Sequence, residues 1–158
     1  MVSGRSGKWY FPKRVDDASK EDRRPEEAYV KGRIDFQYDR ENDVIIARPH
    51  WTIETDKDVR DWYDQYAAYM KPFGRKMDFV VVLDAFEIKT AVGVLWGEAR
   101  ARMHHEFTRF NYRVHSNRRV QMFVNTSGVR YNVATEEAAT VEDAIEGIKA
   151  SRAALHSR

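Results

Sequence analysis

From residue 34 onward, apolar and polar positions fall into two distinct rhythms. Ile34, Phe36 and Tyr38 alternate with Asp35 and Gln37, the period of a half-buried strand. A polar stretch over 39–43 separates them from a second apolar run at 44–48, so the two predict a β-hairpin. Pro49 limits further pairing. Thr55 or Asp56 then supplies a cap for a helix reaching Lys71, with Val59, Tyr63, Tyr66 and Met70 on one face, widened by Trp62 and Tyr69. Pro72 and Gly74 end it. Residues 78–84 contain an uninterrupted Val/Leu run, which needs cover on both sides and predicts a central strand in a parallel setting. Spacing of Leu95, Ala99, Met103 and Phe107 predicts a second helix over 91–109, facing the sheet. A further strand is expected at 119–124 and a short edge strand at 128–133. Thr140 caps a last helix with Glu142 and Asp143 in its first turn, and Val141, Ala144, Ile145, Ile148 and Leu155 as its buried stripe. Helices alternating with strands after a hairpin predict an α/β fold, a mixed sheet of four to five strands covered by helices through right-handed crossovers.

Residues 1–31 follow neither rhythm. Gly4, Gly7, Pro12 and Pro25 punctuate them, and residues 16–24 are a run of mostly charged positions, so they predict an extended or disordered arm ahead of a single domain over 32–158. Within the arm, Trp9, Tyr10 and Phe11 stand together between basic residues. Three adjacent aromatics are costly to leave in water, so they either dock on their own domain or form a short partner-binding motif.

Composition narrows the chemistry. The 158 residues are one ordinary domain's worth, 42% hydrophobic and 13% aromatic, which leaves no room for separate cofactor and substrate lobes. With no cysteine, disulfides, a thiol nucleophile and thiolate-ligated metal are excluded. No run of eighteen apolar residues occurs and the start lacks a secretory stretch, so no membrane span and a cytoplasmic location are expected. The net charge of +2 conceals an asymmetry: residues 35–70 hold nine acids against four bases, while residues 98–119 hold six arginines against two glutamates. As a sum, +2 gives no footprint for a dedicated nucleic-acid binder.

The hairpin, the central strand ending at Val82, Leu83 and Asp84, and the loop 85–93 that opens a helix together resemble the STAS domain, the fold of sulphate-transporter tails and bacterial anti-anti-sigma factors. Residues 140–148 are similar to the closing helix of that family. The resemblance covers roughly residues 33–155 and implies a non-enzymatic, bacterial-type regulatory module. In phosphorylated anti-anti-sigma factors the loop after the central strand carries Asp-Ser-Ser-Gly. Gly93 matches the glycine, but Thr90, Ala91 and Val92 occupy the other positions. Thr90 is the one nearby hydroxyl, so a serine switch is not carried over.

Three constellations are candidates for function. Glu98, Arg102, His105 and Arg109 line one helical strip, with Arg113, Arg118 and Arg119 following. This reads either as a solvated helix face near the chain's own acidic helix or as a surface for an acidic partner or anion. Asp84 lies at the carboxyl end of the central strand, where open α/β sheets place ligands. Glu87 and Lys89 share its loop, and amides near 91–93 begin a helix that could hold an anion; the favoured reading is that Asp84 simply receives loop hydrogen bonds. His104 and His105 point about 100° apart on a helix and do not chelate one ion. No P-loop, GxGxxG or nucleophile–base pair is present, so no metal, cofactor or catalytic residue is assigned.

The expected function is therefore binding of a protein partner, or of a second copy as a homodimer. Its contacts are Glu87 and Lys89 in the loop, Arg102, His105, Arg109 and Arg113, and the aromatic triplet Trp9, Tyr10 and Phe11. The alternative is a small anionic metabolite, nucleotide or lipid held near Asp84, Thr90 and Gly93.

Overall fold

The computed structural model describes residues 33–133 and 136–157. The predicted arm, with Trp9, Tyr10 and Phe11, lies outside the described residues.

The hairpin forms as its pattern demands. Strand β1 (Ile34–Asp39) pairs antiparallel with β2 (Val44–Pro49), Ile34 opposite Pro49 and Asp39 opposite Val44. Asp39 closes the turn by accepting the Asn42 N–H at 3.1 Å, and Asp43 takes a left-handed backbone conformation at φ 56°, which the short polar Asp side chain tolerates better than most.

A two-residue strand β3 (Thr52–Ile53) leads to α1 (Asp56–Met70). Thr55 caps α1 in a complete capping box. Its hydroxyl accepts from the Asp58 N–H at 3.1 Å, and the Asp58 carboxylate accepts from the Thr55 N–H at 3.1 Å. A 3-10 turn, Lys71–Phe73, follows, and Gly74 at φ 66° reverses the chain. Thr140 caps the last helix through its hydroxyl alone, accepting from the Asp143 N–H at 3.0 Å. Thr140→Ala is expected to cost about 1 kcal/mol in urea unfolding, because the amide loses its partner.

Strand β4 (Met77–Val82) is buried at all six positions and lies centrally, parallel to β2 on one side and to a strand over 108–114 on the other. Beyond it come β5 (Glu87–Ile88), paired parallel with β3, then a 3-10 turn Thr90–Val92 and helix α2 (Gly93–Phe107). After α2 the structure departs from the predicted elements. Thr108 and Arg109, read as the end of the second helix, open strand β6 (Thr108–Val114), whose remaining residues had no predicted element, and the expected strands at 119–124 and 128–133 are instead one helix, α3 (Arg118–Tyr131). The edge strand is β7 (Glu136–Ala138), followed by α4 (Val141–His156). The sheet order is β1-β2-β4-β6-β7, with only the hairpin pair antiparallel. This is an α/β fold with a mixed five-stranded sheet flanked by helices.

Since β2, β4, β6 and β7 are adjacent in chain order, each intervening helix returns on one side. Ile45, Ala47, Phe79 and Val81 pack there against Val59, Trp62, Tyr66, Trp96, Met103, Val120 and Val124 of α1, α2 and α3. The other face, Val44, Ile46, Val80, Val82 and Val114, meets Ala144 and Ile148 of α4. Leu155, expected in the α4 stripe, is exposed.

The buried face of α2 is also rotated from its expected position. It consists of Gly93, Trp96, Gly97, Arg100, Ala101 and Met103, while Leu95 faces outward. The cause is close packing on α3. A Cβ on Gly93 would fall 2.1 Å from the Phe123 ring, and one on Gly97 would stand 3.0 Å from the Ser127 Cβ.

At the amino end of β4 a polar knot joins distant elements. Asp78, with a fully buried side chain, accepts from Arg109 Nε at 2.9 Å and Nη2 at 2.7 Å, from Arg152 Nε at 2.7 Å and from the Phe110 N–H at 3.1 Å. Arg152 also donates to the carbonyls of Asn42 at 2.9 Å and Asp43 at 2.8 Å, tying α4 to the hairpin turn.

Candidate functional site

The loop between β4 and α2 is held rigidly from below. Phe86 and Ile88 are buried plugs, whereas Asp84, Ala85, Glu87, Lys89 and Thr90 are exposed. Backbone bonds pin it to its neighbours: Leu83 N–H to the Val114 carbonyl at 2.9 Å, and Lys89 N–H to the Ile53 carbonyl at 2.9 Å. Asn117, the cap of α3, donates from Nδ2 to Glu87 Oε2 at 3.0 Å and to the Phe86 carbonyl at 3.3 Å. The sequence places exposed polar groups on a fixed mount, which keeps their positions precise at little ordering cost on binding.

That loop runs directly into the exposed side of α2. Val94 is 59% exposed and Leu95 37% exposed, and Leu95 forms one wall of a groove of about 510 Å³ between α1 and α2. Val59, Tyr63 and Ala99 give the groove an apolar floor, and Arg60, Asp64, Glu98 and Arg102 rim it with both signs of charge. Arg102 stacks its guanidinium over the Tyr63 ring at 4.4 Å and donates from Nε to Glu106 Oε2 at 3.2 Å. The Tyr63 hydroxyl also donates to Glu106. Partial burial and this carboxylate push the Tyr63 phenol up to about 12, and the tyrosine and Arg102 hold Glu106 below the usual carboxylate range. The arginine side of α2 does stand near the acidic helix: Asp64 of α1 and Arg102 line the same groove.

The other predicted residues separate into different places. His105 stays on the outer side of α2, donating from Nε2 to the Tyr131 carbonyl at 3.1 Å. Arg109 does not continue the helical strip: it is in β6 and bonded to Asp78. Arg113 is no surface residue either. It points into the core beneath α2 and α3, with Nη2 on Glu137 Oε1 at 3.1 Å. Both corrections follow from the strand at 108–114: Arg113 shares the inward face with Asn111, while Arg109 lies at the register shift near the amino end of the strand and reaches Asp78.

Asp84 sits exposed beyond the carboxyl end of β4, with Thr90 exposed at the 3-10 turn. Gly93 is buried beneath Phe123, so its missing side chain serves helix packing. The Val92 N–H bonds to the Lys89 carbonyl at 3.1 Å and the Gly93 N–H to the Thr90 carbonyl. Two of the three amides that an anion at 91–93 would use are therefore engaged within the turn.

Burial, Arg100 and His105 together depress His104 to about 4, so it is neutral at physiological pH. Among the described residues no three His, Asp or Glu side chains converge on a metal position, and no helix is long and apolar enough to cross a membrane.

Sequence reasoning did not single out Val94, took Leu95 for a core residue and missed Arg100 as one, whereas Tyr63, read as core-facing, packs partly buried against the core and also lines the groove. The available signal was the Gly93–Gly97 spacing: two glycines four apart mark the side of a helix that approaches a neighbour closely. No protein-family model matches the chain, and no curated protein matches its sequence significantly.

Proposed function

We propose that this domain is a non-enzymatic regulatory or scaffolding module of STAS-like arrangement, docking a protein partner on the loop 84–90 and the adjoining outer side of α2. One observation carries the reading. Leu95 stands exposed on a junction anchored by backbone bonds, in the wall of a groove with an apolar floor and a charged rim, and Val94 is exposed next to it in the chain. An apolar centre bounded by charged residues is the anatomy of a protein–protein contact, and stray surface apolars do not normally come with such a groove. The chain order of hairpin, central strand, loop, helix and closing helix supports the STAS-like part of the reading. Arg102, Glu87 and Lys89 remain in the proposed contact, with His105 at its edge. Arg109 and Arg113 leave it, because their guanidiniums are engaged in structural ion pairs.

Affinity purification of the full chain from its native source, followed by light scattering, tests the proposal. Wild-type protein is expected in a stoichiometric assembly, with another protein or with itself. Val94→Glu combined with Leu95→Glu is expected to weaken that assembly about 100-fold, as loss of a central apolar anchor does. Val129→Glu, on the exposed side of α3, is expected to leave it intact. A monomer without a stoichiometric partner, or equal assembly by the double variant, contradicts the reading.

A further inference from the structure

We infer that the outward side of α3 is a contact surface for an anionic lipid bilayer, on which the domain rests as a peripheral protein. This surface is separate from the docking surface, whose residues belong to α1, α2 and the loop 84–90.

The apolar part of the surface is a ridge. Val129, at 88%, is the most exposed large apolar side chain among the described residues, and Met122 is 51% exposed. Seven residues apart on one helix, they point within about 20° of each other and stand about 10 Å apart along its axis. The exposed residues between them, Asn125 and Thr126, are shorter and polar. Val120, Val124 and Ser127 already supply the buried spacing of α3, so neither ridge residue is needed for packing.

Charge of one sign surrounds the ridge. Residues 118–131 contain three arginines and no acid, and Arg118, Arg119 and Arg130 are all exposed. Helical spacing puts Arg118 about 40° to one side of Met122, and Arg119 and Arg130 about 60° and 80° to the other. Among the described residues Arg118 and Arg119 have no ion pair, and Arg130 lies only over the Tyr131 ring, 5.8 Å from its centroid.

Two of these arginines break a local rule. Arg118 and Arg119 occupy the first turn of α3, the positive end of the helix, where acids stabilise and cations do not. Helices α1 and α4 follow the rule, with Asp56 and Asp58 in one first turn and Glu142 and Asp143 in the other. Departures of this kind concentrate where a surface serves function rather than stability. Meanwhile Glu142, Asp143 and Glu146 of α4 are exposed on the far side of the sheet. A negative plane therefore attracts the α3 side and repels the α4 side, which orients the domain as well as holding it.

The combination of ridge and arginines decides the partner. Nucleic acid offers phosphates but no apolar receptor for Met122 and Val129, and the exposed residues of this face include no aromatic ring for stacking. A folded acidic protein would need a preformed groove for the ridge. A bilayer accepts both parts. Apolar side chains enter at the boundary of headgroups and acyl chains, while arginines lay their stems along apolar surface and reach the lipid phosphates. Anionic lipid then adds attraction for every arginine near the surface.

The test is flotation of the full chain with phosphatidylcholine vesicles containing about 30% phosphatidylserine, against pure phosphatidylcholine, at low salt. Binding to the anionic vesicles is expected to be about 100-fold tighter and to collapse when salt is raised to about 1 M. Arg118→Gln combined with Arg119→Gln is expected to lose about 30-fold, and Met122→Ser combined with Val129→Ser about tenfold. All four residues are exposed, so urea unfolding of both variants is expected to match or exceed that of wild type. Leu155→Ser, which removes an exposed apolar side chain of α4, is expected to bind as wild type does. Equal binding to both kinds of vesicle, or an undiminished affinity in either double variant, overturns the inference. Arginine-dependent retention on heparin without vesicle binding assigns the face to an acidic polymer and overturns it too.

Discussion

Asp78→Asn is expected to destabilise the domain by about 3 kcal/mol, lowering the thermal midpoint by roughly 10 °C. The carboxylate accepts four hydrogen bonds, two from Arg109, one from Arg152 and one from the Phe110 amide. An asparagine turns one of those acceptors into an N–H₂ aimed at guanidinium donors. Two cations are then left at the sheet with weakened compensation. Removing one partner of a buried pair costs about 3–5 kcal/mol. The lower end applies because the Arg109 side chain is 40% exposed and that of Arg152 23% exposed, so water recovers part of their solvation.

The same residue gives the stability a definite acid limb. Burial alone would raise the Asp78 carboxyl, but hydrogen bonds and charge from Arg109 and Arg152 outweigh it and hold it below its ordinary value. A carboxyl that is more acidic folded than unfolded contributes stability above its unfolded pKa, about 4, and loses that contribution as pH falls through the folded value. The difference between wild type and Asp78→Asn in urea unfolding is therefore expected to be constant from pH 7 to 5 and to shrink below pH 4. A gap that stays constant down to pH 2 rules out the carboxylate as its source.

Trp62→Ala is expected to cost about 4 kcal/mol, the largest effect of a single core truncation in this fold. Trp62 is the middle of an aromatic chain, with Tyr66 at 4.8 Å and Trp96 at 5.5 Å between ring centroids. Through Trp96 the chain reaches Phe86 in the loop, and through Tyr66 it reaches Phe36 in β1. The indole is nearly fully buried, so alanine removes both its transfer free energy and its edge contacts, leaving a void that helices on a sheet do not fill. Trp62→Phe keeps a ring there and is expected to lose less than half as much. Chemical denaturation of the three proteins checks this; a loss below about 1 kcal/mol for alanine contradicts the packing described. Because the chain includes Phe86, the variant is also expected to loosen the mount of loop 84–90.

The parts of the fold that were legible are those where burial and polarity coincide. Ile34, Phe36 and Tyr38 turn inward while Asp35 and Gln37 face solvent, so the hairpin shows its period directly. The Val run of β4 and the caps at Thr55 and Thr140 were equally explicit. Strand β6 was hidden because its inward positions include Asn111 and Arg113, and its amino end continues a helical spacing through Phe107. Helix α3 was hidden because Val120, Met122 and Val124 mimic alternation, although Val120, Val124 and Ser127 are its buried spacing. Edge strand β7 carries Glu136 and Glu137 and has no apolar signature at all.

The candidate surface was half legible for the same reason. In the loop 85–93 the polar residues Glu87, Lys89 and Thr90 are exposed, as is Arg102, since an exposed polar residue reads as itself, whereas Val92 and Gly93 are buried. Arg109 and Arg113 leave that strip for different reasons: Arg109 stays exposed but lies in β6 paired with Asp78, and Arg113 is buried although arginine usually faces water. Leu95 was assigned to the core by its hydrophobicity, whereas the glycines at 93 and 97 turn that side of α2 outward.

Hydrogen–deuterium exchange on the purified native assembly, compared with the isolated chain, tests the docking surface most directly. The account predicts added protection confined to residues 84–95 and the facing part of α1 around residues 59–64, with residues 118–130 of α3 unchanged. Protection centred on α3 or on β7, or none at 84–95, would contradict it.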